Sequence, residues 1–142
     1  MEIRKLTTTD YDELTSLWSR ANLPFKPGGR DSRQAIAAQI NASPDFFLGA
    51  FEDRRLVGTA VLSSDMRKGW INRLAVDPDC RGRGVAKALV NESEKTFRKH
   101  GLRIFCSLIE DSNRASKELF EKCGYTTHDD ILYFTKRDSD SV

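Results

Sequence analysis

The stretch Trp70–His100, WINRLAVDPDCRGRGVAKALVNESEKTFRKH, decides how the rest of the chain is read. It opens with an apolar run of β type, Trp70-Ile71-Asn72-Arg73-Leu74-Ala75-Val76. Asp77-Pro78-Asp79 stops that run, because proline has no N–H to give a ladder and favours a turn. Arg81-Gly82-Arg83-Gly84 comes next. The run after it has helical spacing, with Val85, Leu89 and Phe97 on one side and Ala86 and Val90 beside them. The predicted order is strand, glycine loop, helix.

That order has a physical use. A helix start leaves N–H groups without partners and carries about half a positive charge. Gly82 and Gly84 add no Cβ, so a phosphate can approach the backbone closely. Successive N–H groups in such a turn form an anion nest. Arg81, Arg83 and Lys87 add full charges at the same place. The segment therefore reads as a site for a phosphorylated ligand.

Two familiar glycine loops do not fit it. The dinucleotide fingerprint needs a third glycine where Lys87 stands, and a Walker loop needs a Gly-Lys-Ser/Thr ending that is absent. The pattern that does match is Q/R-x-x-G-x-G/A, through Arg81, Gly84 and Ala86. Placed between a strand and a helix, this resembles the acyl-CoA loop of the GCN5-related N-acetyltransferases (GNAT). Farther on, Asn113-Arg114-Ala115 with Leu119-Phe120-Glu121-Lys122-Cys123-Gly124-Tyr125 is similar to the helix that carries the family's second motif. The two occur in the family's order.

Composition agrees with a globular protein. The chain has 142 residues, 39% apolar and 31% charged, enough for one core and one domain, residues 1–142. A net charge of +2, from 23 basic and 21 acidic side chains, is a poor basis for a nucleic-acid face built on Arg81, Arg83 and Lys87. No apolar run reaches membrane-span length, and Met1–Lys5 lacks a signal-peptide core. A cytoplasmic location is expected, with no membrane and no nucleic acid as partner. Three cysteines, Cys80, Cys106 and Cys123, without a C-x-x-C, and two distant histidines argue against a disulfide framework or a metal site.

Around the central stretch the elements follow from periodicity. Glu2–Leu6 alternates as a strand. Tyr11, Leu14, Leu17 and Trp18 predict a helix to Ala21 or Asn22, capped by Thr8 or Thr9. Leu23–Arg30, with two prolines and two glycines, is a loop and a candidate lip for the acceptor substrate. Asp31 or Ser32 caps a second helix carried by Ala35, Ile36, Gln39 and Ile40. Phe46–Phe51 and Leu56–Leu62 are strands of a hairpin around Glu52-Asp53-Arg54-Arg55. After the long helix, Leu102–Ile109 reads as a buried strand, joined by a parallel crossover. A last helix runs from an Asp111 or Ser112 cap through Cys123, and Tyr125–Thr127 with Ile131–Thr135 is expected to form a closing hairpin. Arg137–Val142 is expected to fray.

The resemblance implies an α/β fold: a central mixed, mostly antiparallel sheet of about six or seven strands, flanked by about four helices, with splayed central strands. It implies an N-acetyltransferase that uses acetyl-CoA as cosubstrate and no metal. The coenzyme would lie between Trp70–Val76 and Leu102–Ile109. Its pantetheine arm would rest on main-chain groups of Leu74, Ala75 and Val76. Its diphosphate would rest on Gly82, Arg83, Gly84, Val85 and Ala86, with Arg81 and Lys87 beside it. Asn113 and Phe120 match family positions near the cofactor. The Leu74 N–H would polarise the thioester carbonyl while a primary amine of a small molecule or peptide attacks it through a tetrahedral intermediate.

Two departures from the family stand in the sequence. Trp70 and Asn72 occupy the positions where a carboxylate base is often found, leaving Glu110, Asp111, Asp65 and Asp31 as candidates. Phe120 stands where many members place a tyrosine that protonates the leaving thiolate, and neither Tyr125, Tyr133 nor Cys123 is in register with it. A thiol pKa near 8.5 lets the thiolate leave unaided, only more slowly. These departures motivate an alternative reading, an acyl-CoA-binding sensor without turnover. The acceptor, acyl length, acid, base and oligomeric state, a homodimer included, stay open at this level.

Overall fold

The computed structural model describes residues 1–142. Its elements are β1 (Glu2–Lys5), α1 (Tyr11–Arg20), α2 (Arg33–Ala42), β2 (Phe47–Glu52), β3 (Arg55–Ser64), β4 (Gly69–Ile71), β5 (Ala75–Val76), α3 (Val85–Lys99), β6 (Phe105–Cys106) and α4 (Arg114–Lys122). The six strands form one mixed sheet in the order β1-β2-β3-β4-β6, and β5 also pairs with β3. Every pairing is antiparallel except β4 with β6. This is the α/β architecture expected from the sequence, with four helices on a mostly antiparallel sheet.

The helices cover both faces, which is why β2 and β3 are apolar almost throughout rather than alternating. Leu14, Leu17, Trp18, Ile36 and Ile40 from α1 and α2 pack with Phe47, Phe51 and Leu56 on one face. Val85, Leu89, Val90 and Phe97 from α3, with Phe120 from α4, pack with Leu48, Val57, Ala60 and Leu62 on the other. The β2–β3 hairpin turns on Asp53 and Arg54, both at positive φ (+49° and +65°), the geometry of a two-residue hairpin loop.

Two glycines seat α3. A Cβ on Gly58 would lie 2.7 Å from Val85 Cγ1, and one on Gly69 would enter the Phe97 ring. The bare backbone of β3 meets the start of the helix, and that of β4 meets its last turns. The start of α3 is thereby fixed against the sheet's centre.

Five expectations need correction. Asp10, not Thr8 or Thr9, stands at the N-cap of α1. The run Trp70–Val76 is not one strand: Asn72, Arg73 and Leu74 fall outside the ladder between β4 and β5. Leu102–Ile109 is ladder-bonded only at Phe105–Cys106, and Ile104 and Leu108 are exposed at 52% and 58%. The closing hairpin over Tyr125–Thr127 and Ile131–Thr135 does not form, and that segment carries no strand. The last helix is capped by Asn113, whose Oδ1 accepts from the Ser116 N–H, rather than by Asp111 or Ser112.

Candidate functional site

The site is built where the sheet comes apart. β4 runs beside β6 for two residue pairs, Gly69–Phe105 and Trp70–Cys106. Ser107 Oγ then donates to the Ile71 carbonyl at 2.9 Å, and this is the last bond between the two segments. Beyond it the chain turns away: Asn72 N–H donates back to the Val61 carbonyl, and β5 has β3 as its sole partner. One edge of residues 72–76 therefore has no strand paired to it, and the N–H groups of Arg73 and Leu74 donate to nothing in the chain.

An ion pair that the sequence did not reveal holds this break. Arg73 reaches across to Asp31 with Nη1–Oδ1 at 2.7 Å and Nη2–Oδ2 at 2.9 Å. The guanidinium also lies 4.7 Å from the centre of the Trp18 ring, a cation–π contact. Asp31 is buried and accepts the Lys26 N–H at 2.7 Å as well. Tyr11 Oη donates to its carbonyl. The Leu23–Arg30 lip is thus tied to the central strand through one carboxylate. Asp31 is committed to structure and is withdrawn as a candidate base.

The glycine loop lies just past β5. Gly82 and Gly84 sit at φ +78° and +80°, and no atom lies within 4 Å of where a Cβ would stand on either. No side chain caps α3, and the N–H groups of Gly84, Val85, Ala86 and Lys87 make no hydrogen bond within the chain. Four donors thus point outward at the positive end of a fifteen-residue helix.

The β2–β3 hairpin braces both flanks of the loop. Glu52 Oε2 accepts from Arg83 Nη1 at 3.0 Å. Arg55 and Arg20 both reach Asp77 Oδ2 at 3.1 Å. Asp77 is 1% exposed. Its bond from the Asp79 N–H, ahead of the two arginines, holds its carboxyl below the usual range against the opposing effect of burial. In the sequence Asp77 stands only as part of the Asp77-Pro78-Asp79 breaker. Arg81 and Lys87 form no ion pair, so two of the three loop cations remain available.

The other candidates fall into place around this core. Asn113 has spent its oxygen on the α4 cap. Phe120 is 5% exposed, in the same apolar cluster as Val85, and meets Tyr125 edge-on at 5.0 Å, which leaves little of its ring for a ligand. Tyr125 Oη donates to Glu94 at 2.8 Å, and burial followed by that carboxylate pushes its pKa far up, so the phenol keeps its proton. Burial also raises the Cys106 and Cys123 thiols, which are free and unactivated. Asp65 accepts the Lys68 and Arg67 N–H groups, which lower its pKa, and Lys117 does the same to Asp111. Of the candidate bases only Glu110 has a carboxylate without a protein partner.

An uncapped helix start lies beside a sheet edge without a partner strand, an arrangement suited to a phosphorylated, elongated ligand. Comparison with known proteins makes the class specific. The family model described as acetyltransferase (GNAT) family matches residues 11–125, and the chain belongs to that family. An acetyltransferase of Sodalis glossinidius is 34% identical over 137 residues, covering 96% of this chain and 95% of that one. One of Yersinia enterocolitica is 33% identical over 132 residues, covering 93% and 92%. Among solved structures, the PaiA N-acetyltransferase of Thermoplasma acidophilum in complex with coenzyme A superposes with a TM-score of 0.78 at 25% identity, covering 90% of this chain and 91% of that one. The AAC(6')-Iy complex with a bisubstrate analogue has a TM-score of 0.79 at 20% identity, covering 96% and 97%, and shows the shared fold. No helix is long and apolar enough to cross a membrane.

Proposed function

We propose that the chain transfers the acetyl group of acetyl-CoA to a primary amine, by direct attack while both are bound. The observation that carries this reading is the free row of N–H groups at Gly84–Lys87, set at the end of a strand whose outer edge is open. Those amides, with Gly82, Arg83, Arg81 and Lys87, hold the coenzyme's diphosphate. The open main-chain edge of Leu74, Ala75 and Val76 holds its pantetheine arm, and Asn113 Nδ2 remains free to contact the arm. Bound acetyl-CoA supplies an activated acetyl thioester. The unpartnered Leu74 N–H is the donor for the carbonyl oxygen as charge develops there, and a fixed donor of this kind is worth about 3 kcal/mol.

An alkylamine arrives protonated, since its pKa lies near 10.4. Glu110, just past β6 and without an ion-pair partner, is the group we assign to take that proton, directly or through water. With Phe120 buried and the Tyr125 proton held by Glu94, the thiolate leaves without a protein acid. The three unpaired cysteines suit a reducing compartment, which supports a cytoplasmic site of action for one domain spanning 1–142. A thiol-release assay with acetyl-CoA across small amines, antibiotics and peptides tests the reading. Amine-dependent thiol release is expected, and release no faster than hydrolysis with every amine would leave only a binding module. Glu110→Gln is expected to lower kcat more than it changes KM.

A further inference from the structure

Residues 72–74 are held by no ladder, although the sheet continues on both sides of them. Asn72 N–H donates to the Val61 carbonyl at 2.8 Å, and the Thr59–Ala75 pair resumes the sheet three residues on. Between these points the main chain donates nothing, so its direction is set by side chains. Asn72 Nδ2 donates to Ser63 Oγ at 2.8 Å, an exposed bond that water can replace. Leu74 is half-buried against the apolar cluster under α3, a contact without direction. Arg73 points to the α1 face, and its contacts are directional: two bonds to Asp31 and the Trp18 ring at 4.7 Å.

The partners of Arg73 are themselves fixed. Asp31 accepts the Lys26 N–H, and its carbonyl accepts Tyr11 Oη, both at 2.7 Å. Trp18 Nε1 donates to Thr59 Oγ1 at 3.3 Å, and Phe25 of the lip packs on its ring at 5.8 Å. Thr59 is the residue paired with Ala75, so this set of contacts closes on the neighbour of Leu74.

We infer that Arg73, held by Asp31, is a positioning residue for acyl transfer. It aims the Leu74 N–H at the thioester oxygen. The inference rests on the acetyl-transfer reading, with Leu74 as the donor. The physical link is the planar peptide: the Leu74 N–H lies in one plane with the Arg73 and Leu74 Cα atoms, so fixing Arg73 fixes the donor. A hydrogen bond weakens steeply as its angle closes, and a donor that needs no reorganisation is what the developing oxyanion requires. An arginine suits this role because its planar fork grips a carboxylate at two points, whereas a lysine is a single flexible charge. The amides assigned to the diphosphate stand on α3, a separate element, so the pair acts on the chemical step rather than on coenzyme affinity.

Two variants test this. Arg73→Lys keeps the charge and loses the fork. Asp31→Asn with Arg73→Met leaves no buried charge without a partner, which favours folding. Both are expected to lower kcat about tenfold to a hundredfold, the scale of a small misplacement of a reacting group, with Kd for coenzyme A within about twofold of the parent. The second readout is the infrared carbonyl stretch of isotope-labelled acetyl-CoA bound without amine. In the parent it is expected at lower frequency than in free acetyl-CoA, and in both variants that displacement is expected to shrink. A full displacement and parental kcat in the variants overturn the inference. Loss of coenzyme A binding together with kcat overturns it too, since the pair would then support the whole site. No displacement in the parent would instead remove Leu74 as the donor, a failure of the underlying reading that the same spectrum tells apart.

Discussion

Arg73 occupies the middle of the three-residue break between β4 and β5, and its two bonds to Asp31 keep that break in one conformation. The arginine is 19% exposed and the aspartate 4%, so removing the carboxylate leaves a cation facing Trp18 with little water. Asp31→Ala is expected to cost roughly 3 kcal/mol in urea denaturation, the scale for one partner lost from a buried pair. Asp31→Asn, which can still accept the Lys26 N–H, is expected to cost less. At the loop the argument is conformational. Gly84 has φ +80° with empty space over its Cα. A β-branched residue there is strained by about 1–2 kcal/mol and fills the space a phosphate needs. Gly84→Val is therefore expected to weaken coenzyme A binding about tenfold or more by calorimetry. Gly84→Ala carries most of the strain with less bulk and is expected to fall between. Unchanged affinity in the valine variant would remove the loop from the site.

At the scale of elements, α3 matters most, because its position sets where the free amides stand. Gly58 faces Val85 Cγ1 at 2.7 Å and Leu89 Cδ1 at 3.0 Å, so an added methyl must push the helix start off β3. Gly58→Ala is expected to lose about 1–3 kcal/mol by denaturation, the range for overpacking, and to weaken coenzyme binding although the residue touches no ligand. Normal affinity in that variant would show that the helix start tolerates displacement. The helices and the loop were legible in the sequence because their signals are local: a 3.6-residue period in α1, α2 and α3, and glycines at two positive-φ positions. The break at 72–74 was not, because Asp31, just past the lip loop and 42 residues away, helps to hold it. The Asp77 anchor was hidden for the same reason, its arginines lying on α1 and β3. The 131–135 segment reads as a strand in the sequence because its residues are strand formers, yet a strand exists only where an edge accepts it. Glu110 stood among four candidate carboxylates by sequence, and only the ion pairs and turns of the others set it apart.

For the molecule as a whole, the question is whether phosphate is held by dipoles or by net charge. The chain carries only +2, and one of the loop cations, Arg83, is bound to Glu52. A phosphate in direct contact with the helix-start amides is screened less than one held by exposed cations, whose attraction fades over about 10 Å at 0.1 M ionic strength. Coenzyme A at about 100 times its Kd is therefore expected to stabilise the fold by about 2.7 kcal/mol, read as a saturating rise in Tm. Raising the salt from about 0.05 to 0.5 M is expected to weaken that binding by less than roughly tenfold, since only Arg81 and Lys87 lose attraction. A site built on a basic patch would instead lose affinity steeply with salt, because more exposed cations lose their attraction to the diphosphate. Titrations at the two salt concentrations separate these cases, and a steep slope would mean that the cations, not the α3 amides, grip the diphosphate.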